Sequence, residues 1–189
     1  MRVLVACEYS GTVRDAFRAQ GHDAMSCDLL PTDSPGPHYQ GSALDILGDG
    51  WDLLIAHPPC TYLTNSGVRW LHSDPTRWAK LDEACEFFAQ LLDAPIPRIC
   101  VENPIPHKYA LERIGGRKYT QIVQPWQFGH GETKATCLWL KGLAELEPTD
   151  IVDGREQRIW KLPPSEDRWK IRSTTFTGIA NAMAQQWGK

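Results

Sequence analysis

The sequence predicts a doubly wound, Rossmann-like α/β fold, with a sheet between two layers of helices. Two observations carry that prediction. Short apolar runs alternate with segments of helical periodicity along most of the chain. Three of those runs also halt abruptly on polar motifs: Cys7-Glu8-Tyr9-Ser10-Gly11, His57-Pro58-Pro59-Cys60 and Glu102-Asn103-Pro104. Open α/β sheets bind ligands outside the carboxyl ends of their strands, so the three motifs are the first candidates for function.

Each element follows from local pattern. Residues 2–6 form a short β-branched strand, and residues 13–20 an amphipathic helix stopped at Gly21. A second strand, 23–27, ends at Asp28, and residues 30–41, rich in Pro, Gly, Ser and His, read as loop. The apolar run 51–56 stops at His57-Pro58-Pro59-Cys60 because proline can neither donate to a ladder nor continue a strand. Residues 77–92 carry Leu81, Ala84, Cys85, Phe88, Leu91 and Leu92 at helical spacing, and Pro95 and Pro97 introduce a strand over 98–101. A short helix over 107–114 closes at Gly115-Gly116, and strands follow near 120–123 and 135–140. Residues 145–172 lose periodicity and gain charge, Pro and Trp, which predicts an irregular surface excursion, and 176–187 read as a terminal helix.

Composition bounds the rest. With 189 residues, 42% of them hydrophobic, and eight tryptophans, the chain fits one core and one domain, 1–189. A formal net charge of -3 gives no global attraction to phosphate, so any nucleic-acid contact must come from a local cluster of Lys and Arg. The six cysteines show no CxxC pair and no Cys/His zinc spacing, which argues against disulfides and against a metal site. No apolar stretch approaches the roughly 20 residues needed to cross a bilayer, and the expectation is a soluble protein of a reducing cytoplasm.

The three motifs carry the chemistry. A small-residue turn between a first strand and helix lets a nucleotide or adenosyl group approach the backbone, and Asp28 is placed to accept ribose hydroxyls. With Gly11 as its one glycine the loop lacks GxGxxG, which disfavours a dinucleotide but not an adenosyl sulfonium, which has no phosphate to cradle. Cys60, directly after a rigid Pro-Pro turn, would be displayed as a nucleophile, although a loop cysteine is far more often an inert buried thiol. Glu102 sits at another strand end, where burial would raise its pKa and keep a proton available near neutrality.

In combination and in order, these segments resemble the DNA cytosine-5 methyltransferases, especially compact phage-encoded members. The Val3 to Gly11 segment is similar to that family's first motif, with Cys7-Glu8-Tyr9-Ser10-Gly11 in place of its glycine-rich form. Asp28 stands at the ribose-binding acid and Asp45 at the adenine-contacting acid. Asp52 through Ser66-Gly67 resembles the proline-cysteine loop, and Glu102-Asn103-Pro104 the glutamate-asparagine-valine motif. Phe128 to Thr136 resembles the strand that normally carries glutamine-x-arginine-x-arginine; Glu132, Lys134 and Thr136 stand there, so the ring-contacting arginine is missing. Thr177 to Ala182 resembles the last motif loosely.

The resemblance implies S-adenosylmethionine as cofactor and DNA as partner, its cytosine single-stranded or flipped from the stack. It implies Cys60 and Glu102 as catalytic residues. Cys7, Glu8, Tyr9, Ser10, Gly11, Asp28, Leu29, Asp45, Ile46 and Pro58 would bind cofactor. Pro59, Thr61, Asn103, Pro104, Lys134 and Thr136 would contact substrate. In place of a target-recognition region there is only the segment 141–172, in which Arg155, Arg158, Lys161, Arg168, Lys170 and Arg172 interleave with Trp160 and Trp169. Three alternatives stay open: an amino-methyltransferase, since His57-Pro58-Pro59-Cys60 also resembles that group's Pro-Pro motif; a binding protein without turnover; and an enzyme acting on RNA or a nucleotide.

Overall fold

The computed structural model describes residues 1–189. Seven strands form one sheet: β1 (Arg2–Ala6), β2 (Asp23–Asp28), β3 (His38–Gln40), β4 (Leu53–Ala56), β5 (Arg98–Pro104), β6 (Gln121–Val123) and β7 (Thr136–Lys141). Their order is β3-β2-β1-β4-β5-β7-β6. Strands β1 to β5 run parallel, and β7 runs antiparallel to both β5 and β6. The helices are α1 (Thr12–Ala19), α2 (Trp70–Ser73), α3 (Thr76–Leu92), α4 (Lys108–Arg113), α5 (Arg158–Lys161), α6 (Arg168–Ser173) and α7 (Thr177–Trp187).

The central strands read as unbroken apolar runs because both of their faces are covered. Leu4, Ala6, Leu54, Ala56, Ile99 and Val101 pack on one face with α3 and α4, around Leu81, Phe88 and Ala110. Val3, Val5, Leu53, Ile55 and Cys100 pack on the other with α1 and α7, around Phe17, Ile179 and Met183. No helix is long and apolar enough to cross a membrane.

Three elements depart from the sequence prediction. The polar stretch 30–41 contains β3, whose three residues pair with β2 at the sheet edge; its Pro and Gly neighbours mask so short a strand. β5 continues through Glu102 to Pro104 because β7 pairs with all of 99–104, so Glu102 lies within the strand. The segment after β7 is docked, with bridges Phe128–Asp150 and Glu132–Glu156, and it carries the short helices α5 and α6. There Gly131 and Gly154 pass so closely that a Cβ on Gly154 would lie 2.6 Å from the Gly131 Cα.

The turn from β1 to α1 is built around Arg14, which is wholly buried. Its guanidinium donates to the Asp15 carboxylate at 2.8 Å, to Ser26 Oγ at 3.1 Å and to the carbonyls of Ser34 and Pro35 at 3.1 and 3.3 Å. This clamps the loop after β2 onto α1. Gly11 enters the helix at φ 74°, and a Cβ there would overlap the same guanidinium, so glycine is required twice over. Arg14→Met keeps the stem but leaves a half-buried carboxylate, the buried Ser26 hydroxyl and two carbonyls of the loop without their donor. We expect a loss of about 3 kcal/mol in urea unfolding followed by circular dichroism; a loss below about 1 kcal/mol would mean that the loop is held by other contacts.

Candidate active site

Register brings the polar motifs together. Ala6, Ala56 and Val101 lie in one row across β1, β4 and β5. The next row therefore sets His57 beside Glu102, on the face opposite Val101. His57 Nδ1 donates to Glu102 Oε2 at 3.0 Å, and the two side chains are 8% and 16% exposed. His57 Nε2 is buried without a partner.

Cys60 reaches the same place on a braced loop. His57 N donates to the Ala6 carbonyl, and Leu63 and Thr64 N–H groups close onto the Cys60 carbonyl at 3.1 and 3.2 Å. Asn103 Nδ2 donates to the Pro58 carbonyl at 3.3 Å. His107 caps α4 by accepting from Ala110 N at 3.0 Å, while its Nε2 donates to the Tyr62 carbonyl at 2.8 Å. The Pro-Pro turn is thus tied down from β5 and from α4.

The result is a cavity of about 110 Å³ at the carboxyl ends of β1, β4 and β5. Cys7, Glu8, His57, Cys60, Glu102 and Lys134 line it, with Arg172 from α6. It shares Tyr9, Cys60, Lys134 and Arg172 with a cleft of about 1120 Å³ that extends past Asp28 and Thr61, large enough for a cofactor and part of a substrate together.

Charge in the cavity is asymmetric. Burial pushes the Cys60 thiol up and Glu102 pushes it further, while Arg172 and Lys134 pull it down without reversing the rise. Burial alone would lift Glu102, as the sequence predicts, but the His57 hydrogen bond, the His57 charge and Lys134 outweigh it. Glu102 is therefore held below the ordinary carboxylate range and is ionised near neutrality, which corrects the expectation of a protonated acid. Glu8 goes the other way, raised by burial against the opposing pull of His57 and two backbone N–H groups. Its carboxylate accepts from Val13 N at 2.6 Å and Arg14 N at 3.2 Å. The amino end of α1 is thus filled by the chain's own anion and has no room for a phosphate.

The predicted residues separate accordingly. Cys7, Glu8, Tyr9, Ser10, Pro58, Pro59, Cys60, Glu102, Pro104 and Lys134 meet at the inner cavity, with Asp28 and Thr61 on the outer cleft. Six others lie elsewhere. Gly11 serves the α1 turn, and Leu29 is exposed beside a cleft that Leu30 lines instead. Asp45 is exposed and accepts from Tyr39 Oη at 3.2 Å. Ile46 is buried with its carbonyl on Trp51 Nε1. Asn103 is buried on the opposite face as a loop brace, and Thr136 is buried with its hydroxyl on the Lys134 carbonyl at 3.0 Å. Sequence reasoning missed His57 as the partner of Glu102, although its place directly after a central strand pointed to the carboxyl edge. It also left Arg172 among many surface cations.

No family model matches the sequence, and no curated relative matches it. Among solved structures, the chain is similar to a proposed DNA modification methyltransferase encoded within a prophage of E. coli, at 16% identity and a TM-score of 0.51, over 80% of this chain and 52% of that one. It is also similar to a methyltransferase of Entamoeba histolytica at 12% identity and a TM-score of 0.49, over 80% of this chain and 57% of the other. The chain spans little more than half the length of either. With the strand order above, the first likeness shows a Rossmann-like α/β fold shared with that protein.

The site's electrostatics predict thiol reactivity without any assumption about function. Alkylation of Cys60 by iodoacetamide should be slow at neutral pH and accelerate above the ordinary thiol range, because burial and Glu102 disfavour the thiolate. Glu102→Gln removes the like charge, so the Cys60 profile should move to lower pH, and Arg172→Gln should move it higher. Mass spectrometry of the tryptic peptides reads both shifts. An unmoved profile in both variants would place Cys60 outside the reach of these charges.

Proposed function

We propose that the chain is an S-adenosylmethionine-dependent methyltransferase acting on C5 of cytosine in DNA through a covalent Cys60–C6 adduct. The observation that supports this best is the convergence of the Cys60 thiol and the Glu102–His57 pair on one small cavity, open to a larger cleft.

The residues fit the cofactor. Glu8 blocks the phosphate position at α1, which suits a cofactor without phosphate. Asp28, at the end of β2, keeps one oxygen on Leu30 N at 2.9 Å and has a second for a ribose hydroxyl. Glu8 and Glu102 put two acids on the cavity wall to face a sulfonium, balanced there by Lys134 and Arg172. When bound, S-adenosylmethionine would supply an electrophilic methyl group.

The chain's residues would do the rest. Cytosine C5 is a weak nucleophile until a thiolate adds at C6, and Cys60 makes that bond. Lys134 and Arg172 favour the thiolate at the moment of attack. Glu102 Oε1, left free while Oε2 holds the His57 proton, accepts from the exocyclic amine of the base. As sulfur adds, N3 becomes basic and takes up the proton that the Cys60 thiol gives up, passed by way of the Glu102 carboxylate. Once C5 carries the methyl group, water from the open cleft would take the C5 proton as the C6–S bond breaks and its electron pair leaves on Cys60, and the N3 proton would return through Glu102 to the thiolate.

Cys60→Ser should abolish the denaturation-resistant adduct with 5-fluorocytosine DNA while leaving circular dichroism unchanged. Glu102→Gln should slow transfer by about a hundredfold or more. Asp28→Ala should weaken cofactor binding about tenfold or more by calorimetry. Mass spectrometry of the nucleosides decides the chemistry: a methyl group on the exocyclic nitrogen, or no transfer to cytosine at all, overturns the reading.

A further inference from the structure

The outer cleft has features that the chemistry of one base does not need. Trp160 on α5 is 72% exposed, Trp169 on α6 is 49% exposed and Trp70 on α2 is 48% exposed, and all three line it. Leaving three indoles in water sacrifices burial that a fold of this size would otherwise use. Arg77, Lys134 and Arg172 line the same cleft, and none of them belongs to an ion pair of the fold. Asp28 is the one acid among the cleft's lining residues. A chain of net charge -3 therefore keeps a cationic, aromatic cleft directly outside its candidate catalytic cavity.

Resting on the methyltransferase reading, we propose that this cleft binds an unpaired DNA strand, with the nucleotides flanking the target base stacked on Trp160 and Trp169 and their phosphates on Arg77 and Arg172. Stacking on an indole needs a base whose faces are free. A duplex hides those faces in its own stack, whereas every base of a single strand offers one. The cations recognise phosphate without regard to sequence. The platform is fixed to the body: Arg158 pairs with Glu132 at 2.8 Å beside Trp160, and Trp169 packs on Tyr9 with ring centroids 5.4 Å apart. The indoles are thus held at the mouth of the cavity.

Binding of a fluorescein-labelled cytosine-containing 12-mer to the full chain, measured by anisotropy without cofactor, tests this. The single strand should bind at least about tenfold tighter than the same sequence as a duplex, and Trp160→Ala should weaken it about 5- to 100-fold. Trp169→Phe, which keeps a ring on Tyr9, should retain most of the affinity. Arg77→Gln should lower the slope of log K against log salt by about 0.7. Circular dichroism of Trp160→Ala controls for folding, which so exposed a residue should not affect. Equal or tighter binding of the duplex or of the matching RNA, or an unchanged affinity in Trp160→Ala, overturns the proposal. No methyl transfer enters the readout. Strand binding without transfer would sink the enzymatic reading alone, and transfer to a duplex without strand binding would sink this one alone.

Discussion

The register of three adjacent parallel strands is the constraint on which the site depends. β1, β4 and β5 are separated along the chain by crossovers, yet the last residues they pair with one another, Ala6, Ala56 and Val101, stand in one row. Whatever follows that row must meet at the same edge. His57 and Glu102 consequently form a hydrogen-bonded pair across 45 residues of sequence, and Cys60 arrives three residues later on a loop too short to leave. A slip of one residue in β5 would turn Glu102 into the α3 side of the core and put Asn103 in its place. The apolar runs that build the sheet are thus also what aims the polar groups.

Rigidity around the thiol comes from groups that never reach the cavity. Asn103 sits on the far face of β5 and holds the Pro58 carbonyl, and His107 spends both ring nitrogens on backbone groups, one in α4 and one in the Cys60 loop. Burial pushes His107 below its ordinary range, as a neutral ring serving as donor and acceptor at once requires. Two polar residues within five positions of Glu102 therefore serve the geometry of Cys60, although sequence proximity to Glu102 makes Asn103 look like part of the chemistry.

That contrast explains what the sequence could reveal. Strand ends were legible because an apolar run that stops at Pro-Pro or at a charged residue leaves few conformations, so β1, β4, the start of β5 and the helices α1, α3 and α7 are found close to their expected bounds. β3 was not, because its three residues are stabilised by pairing with β2 and by no pattern of their own. Likewise, spacing along the chain could propose Cys60 and Glu102 but could not say that a histidine neutralises the burial of Glu102, since that depends on which strand lies beside β5. Asp45 and Ile46 show how far motif order reaches: it named them together, while the fold sets Asp45 at the surface with Tyr39 and Ile46 in the core with Trp51.

The cavity is balanced in charge and the cleft is cationic, and one short segment joins them. Inside, Glu8 and Glu102 are matched in number by Lys134 and Arg172; outside, Asp28 stands alone against Arg77, Lys134 and Arg172. Lys134 and Arg172 line both and are the groups that ease the charge on Cys60. Arg172 is held there by α6, whose neighbours Trp169, Lys170 and Ser173 contact Tyr9 of the β1 loop, and Lys170 also pairs with Asp33. The position of Arg172 thus follows from contacts to the loop between β1 and α1. Arg172 reaches the cavity from a helix that packs on the β1 loop, and its effect on Cys60 depends on that loop being in place.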